Sequence, residues 1–298
     1  MPGRGAGSAA VSAAVPLRLE APAKLNLSLA VLGRRADGRH ELASVMVLLG
    51  LSDRLLLMPG CSGLRVEGSD ATGVPVEVDD NLAWRGLVAG LGVPPEDACL
   101  TLEKRIPPAA GLGGGSSDAA AAWRLGRRWR GAADAATHAE VALLAAIGAD
   151  VPFFAASAAA AMVRGIGERV APFGPAEPPL HVVLIHPPFG LSTAAVFAEL
   201  RPSEWSAEQP PPRLEAGRND LLAAARRLRP EIGDVIAAMV HAGGDPHLTG
   251  SGPTLFSLTD DPERADAVAA RLSNAGLRVT STRTRTAPAS IEAVEEES

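Results

Sequence analysis

The sequence predicts an α+β protein of two domains facing each other across a cleft, and three observations carry that expectation. The chain has 298 residues, about twice the length of a common single domain. Its first half opens on a long alternation of apolar and polar residues, the signature of a strand. Its second half reads strand, helix, strand with helices to spare, the order of a ferredoxin-like unit. With 47% hydrophobic and 21% charged residues a core can be buried, while the Ala-rich run Ala155 to Val163 is about half of what a membrane span requires. A net charge of -6 argues against nucleic-acid and membrane-surface binding, both of which draw on basic excess, so an anionic ligand needs a local positive site.

Taken in order, residues 1–15 are Gly-, Ala- and Ser-rich and read as a disordered leader. From Leu17 to Leu32, Leu25, Leu27, Leu29 and Val31 share one face and Lys24, Asn26 and Ser28 the other, so a half-buried strand presents Lys24 and Asn26 together. Asp37-Gly38 is hairpin chemistry, and the apolar run Leu42 to Leu51 continues the sheet. Short strands are expected at Leu55–Met58, Leu64–Glu67 and Val74–Val78, a helix over Asn81–Leu91 and a strand over Ala98–Lys104. Helices follow at Ala119–Trp129 and near Ala136–Ile147. The Pro-rich stretch Pro172–Pro179 reads as a linker, which places a first domain at 16–175 and a second at 176–286. The second comprises a strand at His181–His186, helices at Thr193–Leu200, Asp220–Leu228 and Ile232–His241, a strand at Leu255–Leu258, a helix at Pro262–Ala275 and a strand at Leu277–Thr282. The acidic segment 287–298 is expected to be disordered. Cys61 and Cys99 have neither the number nor the spacing of a disulfide framework or zinc site, so both read as free thiols in a reducing cytoplasm.

The most informative segment is Pro107, Pro108, Ala109, Ala110, Gly111, Leu112, Gly113, Gly114, Gly115, Ser116 and Ser117, preceded by a strand and emptying into a helix. Its glycines open backbone angles closed to other residues and expose several N–H groups in one concavity, to which the helix adds its positive end. Such a loop suits a polyphosphate. It is not a Walker loop, which requires a lysine here, nor a dinucleotide fingerprint, because Ser116 stands at the third glycine position. Of 28 basic residues only Lys24 and Lys104 are lysine, which marks both as places where a compact ammonium matters.

The segment Pro107–Ser117 resembles the second motif of the GHMP kinases, Leu248-Thr-Gly-Ser-Gly-Pro-Thr254 the third, and Ala21-Pro-Ala-Lys-Leu-Asn-Leu-Ser-Leu29 the first. Gly33-Arg-Arg-Ala-Asp-Gly-Arg-His40 is similar to the Gly-Arg-Arg-x-Asp-Gly-Tyr-His signature of the branch that acts on a cytidine diphosphate-linked methylerythritol. Gly148-Ala-Asp-Val-Pro-Phe153 and Asn219-Asp-Leu221 add to the match, in family order from Ala21 to Phe256. The resemblance implies a two-domain GHMP kinase fold: an N-terminal α/β kinase domain, a C-terminal ferredoxin-like domain and an active site in the cleft between them. It implies ATP, with Mg2+, as phosphate donor and the C2 hydroxyl of the cytidylyl compound as acceptor. These small-molecule partners leave monomer and homodimer both open.

By the same resemblance Asp150 is the carboxylate that takes the hydroxyl proton and Lys24 its ammonium partner, a pairing that suits phosphoryl transfer to an alcohol. From the residues alone, Asp150 is equally a helix N-cap before Val151-Pro152 and Lys24 a solvated strand residue. The resemblance further places Asn81, Leu82 and Lys104 at the base and ribose of ATP, the loop from Pro107 to Ser117 at its phosphates, and the Ser117 hydroxyl beside Mg2+. Asn26, Arg39, His40, Thr193 and Phe197 fall at the acceptor. Arg39 replaces the family's tyrosine in a chain without tyrosine, and its planar guanidinium is expected over the cytosine opposite Phe197. The remaining histidines, His138, His181, His186, His241 and His247, show no ligand spacing and read as structural or surface residues. A kinase for mevalonate, homoserine or a sugar, or a nucleotide-binding module whose catalysis has lapsed, stand as alternatives.

Overall fold

Residues 17–34 and 40–59 pair as the long antiparallel hairpin on which the rest of the chain is assembled. The computed structural model describes residues 15–133 and 136–294; the expected leader, except for Val15, and residues 295–298 lie outside it, as does the side chain of His138. In order, the elements are β1 (Leu17–Arg34), β2 (His40–Pro59), β3 (Gly63–Glu67), α1 (Leu82–Leu91), β4 (Ala98–Glu103), α2 (Gly114–Trp129), α3 (His138–Ile147), α4 (Val151–Ala155), β5 (Ala160–Gly165) and β6 (Arg169–Phe173). There follow β7 (His181–Ile185), α5 (Thr193–Glu199), α6 (Leu222–Leu228), α7 (Ile232–His241), β8 (His247–Leu248), β9 (Leu255–Thr259), α8 (Pro262–Asn274), β10 (Val279–Arg283) and β11 (Glu292–Ala293).

β2 is long enough to serve two partners besides β1. Its first half pairs with β5, from Leu42↔Gly165 to Val47↔Ala160, and its second with β4, from Arg54↔Glu103 to Pro59↔Ala98. β6 extends β5, and β3 runs parallel to β4 at the far edge. The second sheet has the order β10-β7-β9-β8, all antiparallel. One of its faces is covered by α5 to α8 around Val183, Ile185, Leu255, Met239 and Val268. Its other face contributes Val182, Leu184 and Phe256 to a core shared with Ala23, Leu25 and Leu27 of β1. The two halves thus meet over continuous buried apolar surface, the dominant stabilising term in such contacts.

β1 carries register shifts between Pro22 and Lys24 and again between Asn26 and Ser28. Bulges re-aim side chains, and these two bracket Lys24-Leu25-Asn26. Lys24 and Asn26 stay paired with Leu48 and Met46 of β2, while the Lys24 N–H donates to Leu112 O at 2.9 Å and the Asn26 N–H to Thr249 Oγ1 at 3.1 Å. The strand thereby hands its polar face to two loops.

α1 and α2 pack at backbone contact. A Cβ on Gly86 would lie 2.1 Å from Ala119 O, and one on Gly90 2.2 Å from Trp123 O. Gly86→Ala is therefore expected to destabilise the fold by about 3 kcal/mol or more, since neither helix backbone can yield cheaply. Chemical denaturation would measure this, and an unchanged midpoint would mean that the helices slide apart at little cost.

Several expectations are corrected. Residues 74–78 form no strand: Pro75 lacks a ladder donor and its carbonyl accepts instead from Asn81 Nδ2 at 2.6 Å. α2 begins at Gly114, not Ala119, because Gly113 takes the left-handed conformation (φ 72°) and turns the chain directly into the helix despite the low helix propensity of glycine. Cys61 and Cys99 are disulfide-bonded, 38 positions apart in sequence. The pairing of Gly63 with Cys99 across β3 and β4 brings them together, so the argument from free thiols to a reducing compartment lapses. The acidic end is ordered as far as it is described: Glu292 and Ala293 pair with Arg18 and Leu17, and Arg124 Nη1 donates to Ala289 O at 2.9 Å. No helix among the described residues is long and apolar enough to cross a membrane.

Candidate active site

A cleft of about 1500 Å³ runs between the halves, floored by β1 and walled by the glycine loop on one side and α5 on the other. Residues 107–111 and 113–116 line it. Leu112 does not: its side chain is buried in the shared core. Gly113 offers α2 no side-chain cap, so the first N–H groups of a 16-residue helix are left for a ligand at the end where the helix dipole is positive. Ser116 faces the cleft, whereas the Ser117 hydroxyl is buried without a hydrogen-bond partner toward a small separate cavity shared with Glu20 and Pro288. The two hydroxyl residues part in this way because successive helical positions point about 100° apart.

Lys24 and Asp150 meet at the centre, with Nζ 3.4 Å from Oδ2. Lys24 is only 4% exposed and donates to Asn26 Oδ1 at 2.5 Å, while Asp150 remains 30% exposed to the cleft. Asp150 does precede α4 at the N-cap position, but its side chain makes no capping hydrogen bond. It performs no capping task that would explain an aspartate there. Asn26 is held in turn by Ser44 Oγ, which accepts from its Nδ2 at 2.7 Å.

The other lysine behaves differently. Lys104 is buried and its ammonium donates to Asp53 and to Asp118, the latter at 2.7 Å, which leaves one of its three N–H donors at the cleft it helps to line. Asp53 also accepts the N–H groups of Arg105 and Ile106, at 2.5 and 2.8 Å, where β4 turns into the glycine loop. Burial pushes the Asp118 carboxyl well above the ordinary carboxylate range in spite of the attraction of Lys104. Burial likewise opposes the Lys104 charge, but the two carboxylates outweigh it and raise its pKa. Asn81 is similarly occupied, its Oδ1 capping α1 through the Ala83 N–H at 2.9 Å. Asn81 and Leu82 border the cleft at this end.

At the opposite end His40 stacks on Phe197, with centroids 5.2 Å apart and planes 26° apart, and the Trp205 ring meets His40 edge-on at 6.2 Å. Burial, with Arg34 second, lowers the His40 pKa and favours a neutral ring. Arg39 lies exposed at the mouth, its N–H donating to Asp37 at 3.0 Å. His40 begins β2 and holds the face toward Phe197, while Arg39 belongs to the turn. Thr193 heads α5 and its hydroxyl lies 2.8 Å from Ser251 Oγ.

Ser251 belongs to the loop joining β8 and β9, which supplies residues the sequence reading left without a role. A Cβ on Gly250 would lie 3.1 Å from Gly111 O, 3.2 Å from Lys24 Nζ and 3.4 Å from Asn26 Oδ1. All three motifs therefore converge on one point. Their common sequence signal, glycines beside small hydroxyl residues, marks close backbone approach but not which backbones approach. Of the other histidines, His186 is buried between Thr280 and Thr254, and burial lowers its pKa to about 4.

A glycine loop at a helix start, an ammonium–carboxylate pair and a cluster of stacked rings thus share one cleft, an arrangement suited to a small-molecule kinase. Residues 81–165 match the GHMP kinases N terminal domain and residues 212–277 the GHMP kinases C terminal family, and the chain belongs to the GHMP kinases. Within them it belongs to the 4-diphosphocytidyl-2-C-methyl-D-erythritol kinase family. It is 42% identical over 267 residues to the 4-diphosphocytidyl-2-C-methyl-D-erythritol kinase of Paracoccus denitrificans, covering 86% of this chain and 91% of that one. A crystal structure of 4-(cytidine 5'-diphospho)-2C-methyl-D-erythritol kinase superimposes with a TM-score of 0.73 at 34% identity, covering 89% of this chain and 98% of that one. A homoserine kinase from Cytophaga hutchinsonii shares the fold, with a TM-score of 0.62 at 15% identity over 97% of this chain and all (100%) of that one.

Proposed function

We propose that this chain transfers the γ-phosphate of ATP to the C2 hydroxyl of 4-diphosphocytidyl-2-C-methyl-D-erythritol, giving the 2-phosphate and ADP. The observation that carries the reading is the Lys24–Asp150 pair, 3.4 Å apart in a cleft with an anion site at one end and stacked rings at the other. In the proposed step the γ-phosphorus bonds to the acceptor oxygen as its bond to the ADP oxygen breaks, and Asp150 takes the hydroxyl proton. The Lys24 ammonium stabilises the oxygen as charge develops on it. The N–H groups at the start of α2 bind the nucleotide phosphates. His40 and Phe197 receive the base, and Arg39 closes over it from the mouth.

No group of three or more His, Cys, Asp or Glu among the described residues would hold a metal unaided. That fits Mg2+ carried largely by nucleotide oxygens and water, with the Ser116 hydroxyl toward it. When bound, the ion neutralises phosphate charge.

ADP release measured against the cytidylyl acceptor, mevalonate, homoserine and a sugar tests the reading. Turnover is expected with the first alone, and turnover with another but not the first would overturn it. Within the active pair, His40→Ala and Arg39→Ala should each raise the acceptor KM about tenfold, the size of one stacking contact, and leave the ATP KM unchanged. Equal shifts in both constants would remove these residues from the base site.

A further inference from the structure

The Asn219 side chain fixes a strip of backbone, Leu248 to Gly250, that packs beside both Lys24 and the glycine loop. Its Nδ2 donates to two carbonyls of the β8–β9 loop, Leu248 O at 2.8 Å and Gly250 O at 2.9 Å, and its Oδ1 accepts the Leu221 N–H at 3.0 Å. Both amide protons and the oxygen are thus in use. Asn219 itself stands on a rigid base. Residues 217–220 run alongside β1 through Gly217 N–H to Leu27 O, Leu29 N–H to Arg218 O and Asp220 N–H to Leu29 O, at 2.7 to 3.0 Å. The wholly buried Asp220 carboxylate then receives the N–H groups of Val31 and Ser206, at 2.8 and 3.0 Å. Anchor and active lysine are accordingly two sections of one strand, only a few residues apart.

The loop held in this way has no slack. Gly250 is in the left-handed region (φ 57°), and any Cβ there would crowd Gly111, Lys24 and Asn26 together. With its carbonyl turned toward Asn219, that oxygen cannot turn to the ammonium. Without the clamp, a freed carbonyl beside Lys24 would compete with Asp150 for it and set a negative dipole next to the phosphate path.

We infer that Asn219 is a positioning residue for phosphoryl transfer, acting through the carbonyls of Leu248 and Gly250 to hold Lys24 against Asp150 and the third loop against the second. This rests on the kinase reading above, and it extends to a motif, Asn219-Asp220-Leu221, whose task the chemistry itself does not reveal.

The test compares wild type, Asn219→Ala and Asn219→Asp as full chains in steady-state kinetics with ATP and the cytidylyl acceptor, beside thermal unfolding. Aspartate keeps the size and the acceptor of asparagine but turns an oxygen toward two carbonyls, so it should be the worse of the two. We expect kcat to fall about 100-fold in Asn219→Asp and about tenfold in Asn219→Ala, the scale of an ångström-size misplacement at the reacting centre, with both KM values within about threefold of wild type. Unchanged kcat in both variants would overturn the role. So would kcat falling only in step with Tm and the ATP KM, or loss of the fold in both, since either would make Asn219 structural. Failure of the substrate reading looks different, because wild type itself would then not turn over the cytidylyl acceptor.

Discussion

Asp150→Asn is expected to lower kcat by about 100-fold or more while ATP affinity stays nearly intact, because a proton acceptor acts in the transition state and not in nucleotide capture. The geometry sharpens this expectation. Asp150 is the partner of Lys24 at 3.4 Å, is 30% exposed to the cleft and makes no capping hydrogen bond to α4. Its removal costs the helix nothing of the ~1 kcal/mol that a true cap supplies, and Lys24 keeps its bond to Asn26 at 2.5 Å. Stability should therefore hold while turnover collapses. Single-turnover rates with titrated ATP binding would check both halves of the claim. Near-normal kcat would take Asp150 out of the mechanism, and a matching loss of Tm would return it to the helix.

Gly111→Val should weaken ATP binding by about 100-fold, roughly 2.8 kcal/mol, from a left-handed backbone that a branched side chain cannot adopt and from overpacking. Gly111 has φ 77°, and a Cβ there would lie 2.5 Å from Thr249 O and 3.1 Å from Gly252 O. Both contacts are backbone, so the loop bearing the phosphate N–H groups must move away from the β8–β9 loop. Gly114 makes a useful contrast: it is helical, and its Cβ would first meet the Ile106 side chain at 3.0 Å, which can shift. Gly114→Ala should therefore cost well under tenfold in ATP affinity. Calorimetry on the two variants would separate them, and equal losses would mean that any bulk in the glycine run blocks the phosphates directly.

The sequence shows the residues of the site better than their surroundings. Alternation in β1 puts Lys24 and Asn26 on one face, and the structure keeps them together. It also suggests that this face is open, whereas both residues are buried beneath the two glycine loops. Scarcity of lysine marks two positions whose surroundings composition cannot tell apart: Lys24 meets one carboxylate at the cleft, and Lys104 is held between two, Asp53 and Asp118. The helix start at Gly114 is hidden by glycine's poor propensity, which a left-handed turn at Gly113 overrides. Asn219 and the cysteine pair depend on neighbours distant in the chain, Leu248 and Gly250 in one case and the β3–β4 pairing in the other. Local periodicity carries no trace of such partners.

β1 also bears on how the molecule is made. Its residues enter three separate cores in succession: Leu17 and Leu19 with α1 and α2, Leu25 and Leu27 between the two sheets, and Leu29 and Val31 with the helices of the second half. Its first two residues finally pair with Ala293 and Glu292. β1 is therefore complete only once β11, far later in the chain, is in place. Contacts so distant in sequence slow folding, because loop-closure entropy is spent before burial compensates it. During synthesis the unfinished β1 exposes apolar surface and an unpaired edge, the state in which chains associate wrongly.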